Sequence, residues 1–168
     1  MVWKTPRNWG VEDAVTKARL NQISDNLAAL KNPPSDEYFL PAVDISTTST
    51  VPVDIDPNGG LVVTTTGGDL LIGLNLVLYL SAGSIFGNID LLLNNLIYAS
   101  TKTPSYHSRG LWHFSDVDVG DHTAFSSIFR WTGLSAGTYS IMPQMWVTSS
   151  TFYIWGANTT GHWWARED

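Results

Sequence analysis

Three groups of residues have types and spacings that could do chemistry. The string Asp54-Ile55-Asp56-Pro57-Asn58-Gly59 reproduces the first half of a calcium loop, D-x-D-x-N-G. In such a loop, alternate oxygens and a glycine turn wrap one hard cation. The twelfth position is Thr65, where that loop needs a bidentate glutamate, and Pro57 sits inside it. A turn capped by its own Asx side chains needs neither and is the reading the residues favour. Asp116, Asp118 and Asp121 stand near His113 and His122, oxygen and imidazole donors suited to a divalent cation. Strand alternation puts Asp116 and Asp118 on one face without making them converge, so a solvated hairpin is the alternative. The third group is Tyr106, His107, Trp112 and His113. An indole face beside polar edges suits a sugar ring, and these four are the candidate glycan-binding residues. The opposing reading packs Trp112 beneath its loop.

Catalysis finds little support. The carboxylate cluster contains no glutamate to pair with its aspartates for glycoside hydrolysis. No nucleophile elbow and no phosphate-cradling glycine loop occurs. The sequence therefore reads as a non-enzyme, with no metal site and no cofactor.

The elements that must position these groups are mostly strands. Residues 125–155 alternate aromatic and β-branched positions around the turn string Gly133-Leu134-Ser135-Ala136-Gly137. That period of two lets a sheet bury one face. In 70–80 every even position is apolar: Leu70, Ile72, Leu74, Leu76, Leu78 and Leu80. Residues 89–93 behave similarly, and Asn94-Asn95 can take the positive φ of a hairpin turn. Strands are expected at 38–50, 51–56, 61–66, 151–155 and 163–166, about nine or ten in all, with Trp131, Trp146 and Trp155 in the core. The fold class is mainly β, an antiparallel β-sandwich or jelly roll with a short N-terminal α-helix. The stretch 101–122 is an irregular loop, where binding residues concentrate on a rigid scaffold.

The helix is expected over 15–31, with Thr16 as N-cap and Pro33-Pro34 as terminator. Leu20, Ile23, Leu27 and Leu30 follow a, d, a, d spacing and make a narrow oligomerisation seam. Such a stripe either lies on its own domain or joins copies of itself; two heptads alone are marginal in water. Ahead of it, Trp3 and Trp9 sit on a non-periodic arm. They dock either on their own domain or on a larger assembly as virion-attachment residues. The chain divides into an arm and helix at 1–36 and a β head at 37–168.

Composition bounds the partners. The 168 residues are 43% apolar and only 14% charged, with net charge −6 at pH 7. Nine Lys and Arg spread thinly give no basic surface for nucleic acid. Cysteine is absent, which removes disulfides and thiolate metal sites. No signal sequence is apparent at the N-terminus, and no apolar run is long enough to span a membrane.

The opening W-K-T-P-R-N-W, the helix V-T-K-A-R-L-N-Q-I-S-D-N-L-A-A-L-K and its N-P-P terminator resemble a family of short phage and prophage virion proteins. The strand D-L-L-I-G-L-N-L at 69–76, the hairpin G-L-S-A-G-T-Y-S-I at 133–141 and the closing W-A-R-E at 164–167 extend the resemblance over nearly the whole chain. It implies a homotrimeric structural protein localised to the virion, with a jelly-roll head similar to complement-component and tumour-necrosis-factor folds. The reading is a tail fibre or receptor-binding head, attached to other virion proteins of the tail or capsid and facing a host-surface glycan. The alternatives are a capsid decoration protein and a soluble carbohydrate-binding module. The family carries no catalytic residues to transfer, and 105–122 departs from its pattern.

Overall fold

A computed structural model describes residues 17–31, 33–82, 86–94, 96–97, 110–115, 121–156 and 161–168. Trp3, Trp9, Thr16, Tyr106, His107, Asp116 and Asp118 lie outside them, as does the side chain of Leu30. One helix, α1 (Lys17–Lys31), precedes the strands β1 (Ser35–Phe39), β2 (Ile45–Thr47), β3 (Val53–Asp54), β4 (Leu61–Thr65), β5 (Gly68–Leu80) and β6 (Phe86–Leu93). These are followed by β7 (Leu96–Ile97), β8 (Trp112–Ser115), β9 (Thr123–Leu134), β10 (Gly137–Val147), β11 (Phe152–Ile154) and β12 (His162–Glu167).

Every pairing is antiparallel, and the strands form two sheets. In the front sheet β5 takes β9 along one edge and β12 then β11 along the other, with β1 outside β12 and β2 outside β11. In the back sheet β6 and β10 form the centre. The pair β3 and β4 shares the outer edge of β10, and β7 and β8 share that of β6. Each sheet is thus four strands wide, with short strands sharing edge positions. The architecture is a β-sandwich of jelly-roll type. That sharing gives twelve strands among the described residues rather than nine or ten.

The even face of β5 is the floor of the core. Leu70, Ile72, Leu74, Leu76, Leu78 and Leu80 are only 0–4% exposed. Ile89 and Leu91 of β6, Ile141, Met145 and Val147 of β10, and Trp163 and Ala165 of β12 fill the same cluster. Each large side chain there contributes about 1.5–3 kcal/mol of burial before entropy is subtracted. The expected strand at 38–50 is two strands. Leu40 leaves the ladder to donate to the Gly161 carbonyl, and Pro41, which has no N–H, accepts from Val43 in a three-residue turn. Asn94 turns the β6–β7 hairpin with φ of 48°, and Gly133 near the end of β9 has φ of 72°.

The tryptophans sort differently from expectation. Trp131 packs partly buried on the core, whereas Trp146 is buried on the outer face of the back sheet, opposite Asn88. Trp155 falls just past β11 and is half-buried at the surface. The fully buried tryptophan is Trp163.

Strand direction gives the front sheet two ends. The chain leaves the helix and enters at Ser35, opposite Arg166 and Leu71. At the other end Thr47, Phe152 and Leu80 lie side by side. Of the sites considered below, the aromatic row sits at this far end.

Candidate functional site

Odd positions of β5 face out of the sandwich, and at the far end that face is aromatic. Tyr79 pairs with Tyr153 of β11, which pairs with Ser46 of β2. The two tyrosine rings stack in parallel, centroids 4.3 Å apart at 4°. His122, immediately before β9, stands on the other side of Tyr79 at 4.9 Å and 4.1 Å from the Trp155 ring. Asp44 closes the row from the β1–β2 connection: its Oδ2 accepts the Tyr79 hydroxyl at 3.2 Å and its Oδ1 the Gly156 N–H at 3.0 Å. Removal from water, followed by the Asp44 carboxylate and its hydrogen bond, pushes the Tyr79 phenol up to about 12. The hydroxyl therefore stays protonated and orients towards Asp44.

The middle of the same face is flatter. Trp164 of β12 lies across Gly73, where a Cβ would stand 2.3 Å from the indole, and the Arg166 guanidinium rests over that ring. Phe39 stacks on His162 at 5.2 Å, and Ile128 is 65% exposed.

The sequence candidates are distributed as follows. Alternation on β8 sends Trp112 and His113 to opposite faces. Trp112 points between the sheets, its edge against Phe125 and its N–H donating to Ser127 Oγ at 3.0 Å, so it bridges β8 to β9. His113 points outward, stacks on Phe86 and shares a hydrogen bond of 2.8 Å with Asn88. In the Asp54–Gly59 string, Asp54 accepts from Gln144, while Asp56 accepts from the Asn58 N–H and the Tyr38 hydroxyl. The Tyr38 phenol is raised by that bond, by burial and by the Asp56 charge. The carboxylates diverge, and the string is an Asx-capped turn that pins Gly59 under Trp163. The Trp163 N–H donates to the Gly59 carbonyl at 2.7 Å. Among the described residues no group of His, Asp or Glu is arranged to hold a metal ion.

On α1, Leu20, Ile23 and Leu27 are 42–56% exposed, and among the described residues no strand packs extensively on the helix. The Tyr79–Tyr153–His122–Trp155 row escaped the sequence reading. Its members come from three distant segments, and only the register of β5 against β9 and β11 brings them together.

No family model matches the chain. No curated protein matches it either. Among solved structures it is similar to infectious bursal virus derived T=1 particles, with TM-score 0.47 and 12% identity over 79% of this chain and 36% of that one. It is similar to Eiger TNF from S. frugiperda with TM-score 0.42 and 11% identity over 80% and 94%. It is also similar to the C-terminal CBM6 of LamC, a marine laminarinase of Zobellia galactanivorans, with TM-score 0.28 and 14% identity over 77% and 100%. The chain thus spans 36% of the length of the first of these. At such identities and TM-scores the likenesses carry no function across.

Proposed function

We propose that this chain is a structural protein of a phage particle: a homotrimer fixed to the tail or capsid through its arm and helix, with an outward-facing head that meets host-surface glycans. The observation that carries the reading is the seam on α1. A head that already buries its core in one chain has no need of that helix, and Leu20, Ile23 and Leu27 stay about half exposed on it. Both a positions are leucine and one of the two d positions, Ile23, is isoleucine, which leans towards more than two strands. Three heads on one foot multiply a weak contact through effective concentration.

The test is where the protein sits. Antibody-labelled electron microscopy of particles should place it on the surface, and the purified protein should adsorb to host cells and compete with infection. Binding to empty capsids with no adsorption to cells would instead identify a decoration protein. Function that survives deletion of residues 1–14 would identify a free-standing sugar-binding module.

A further inference from the structure

The seam on α1 is short. Its helix has 15 residues, and isolated helices of that length are marginal in water, so a trimer gathered by the seam needs a second contact between copies. We propose that the outer face of the front sheet, centred on Trp164, is that contact: it seats a second copy of this chain, with Arg166 of one copy against Glu37 of the next. The inference rests on the trimer reading above and names the surface that reading leaves open.

Position, surface and charge lead to this face and this occupant. α1 ends at Lys31 and β1 begins at Ser35, a connection that spans at most about 14 Å. Helices gathered on the seam therefore gather the Ser35 end of three front sheets. On the outer face there, one cross-strand row runs Glu37, Trp164, Gly73 and Ile128, and the next starts with Phe39 and His162. Gly73 leaves room for the Trp164 indole to lie across the sheet, and Ile128 and Phe39 beside it are more than half exposed. Aromatic and aliphatic anchors next to an arginine are the make-up of an interface centre.

Charge selects a second copy as the occupant. Arg130 and Arg166 are the only Lys or Arg among the described residues beyond α1, and both are on this face. The chain as a whole is acidic, so copies repel one another wherever surfaces bearing only carboxylates meet. Arg130 is paired with Asp69 and Asp168. Arg166 lies over the Trp164 ring, and among the described residues neither it nor Glu37 has an ion-pair partner. Both line one open hollow of about 400 Å³ beside Trp164. A threefold contact is heterologous, so each copy offers its guanidinium to one neighbour and its carboxylate to the other, closing a ring of three pairs. The seam raises the local concentration of heads, which lets a small head contact act; without the seam the chains part.

Sedimentation velocity of the full chain over a dilution series tests it, with near-UV circular dichroism to confirm that each variant is folded. Arg166→Glu, Glu37→Arg and Ile128→Asp each change an exposed side chain and should raise the concentration for half-assembly tenfold or more. Val62→Asp, on the back sheet and 59% exposed, should leave it where it was. The double variant Arg166→Glu with Glu37→Arg should assemble like the wild type, because the pair re-forms with its signs exchanged. An unchanged midpoint in Arg166→Glu or Ile128→Asp, an equal loss in Val62→Asp, or a double variant no better than the singles would overturn the face and leave a trimer held by its helices standing. A wild-type chain that is single at every concentration would overturn both readings.

Discussion

The same residue types meet opposite fates in β5 and α1. Leucine and isoleucine on the even face of β5 are at most 4% exposed, while those on the seam of α1 are 42–56% exposed. The strand finds its cover within the chain, because β6 and β10 of the back sheet bring a second apolar layer over it. The helix finds no such cover among the strands. Unlike an ordinary core helix, it buries a polar residue, Asn26 at 8% exposure, and leaves Leu20, Ile23 and Leu27 outside. The difference teaches that the head covers its apolar face within one chain, whereas α1 leaves its apolar seam open, the seam that the proposed trimer would close.

The comparison is sharpened most by truncating one leucine in each region. Leu74→Ala empties a fully buried site and should cost about 2–5 kcal/mol in denaturant unfolding. Leu27→Ala should move the unfolding of the head by no more than about 0.5 kcal/mol. Equal losses would break the division between the two regions.

A smaller effect comes from two glycines that lie against tryptophan rings. A Cβ on Gly59 or on Gly73 would stand 2.3 Å from an indole. Trp163 is fully buried beneath Gly59 and cannot yield, whereas Trp164 over Gly73 is half-exposed and can swing outward. Gly59→Ala should therefore cost about 1–3 kcal/mol and Gly73→Ala clearly less by thermal unfolding. The reverse order would mean that the outer face is as tightly held as the core.

The smallest effect is on the far-end row. The folded state holds the Tyr79 proton up to about 12, against 10.0 for a free phenol. Its contribution to stability is thus complete below about pH 10 and disappears as pH rises towards 12. Ultraviolet titration should find Tyr79 and Tyr38 titrating late, and Asp44→Asn should bring Tyr79 alone back towards the ordinary range.

Much of this was legible in the chain. The even face of β5 and the Asn94 turn follow from period and turn chemistry alone, because each depends on neighbours in sequence. The hairpin expected at 133–141 is instead a crossing between the sheets, since β9 pairs with β5 while β10 pairs with β4 and β6. Trp163 as the largest core side chain did not follow, since nothing local distinguishes it from Trp164 one position on; the parity of β12 against β5 decides it. Similarly, Trp112 and His113 look like one site in sequence, and alternation on β8 divides them. The far-end row was hidden for the same reason, as register rather than proximity along the chain assembles it.

The measurement that bears most directly on the division of labour is the mass of the full chain in solution, by light scattering at micromolar concentration. The account predicts about three times the 18.5 kDa of one chain, falling to a folded single chain when Ile23 and Leu27 are both replaced by Asp. A wild-type protein of 18.5 kDa, or a trimer indifferent to those two substitutions, would contradict it.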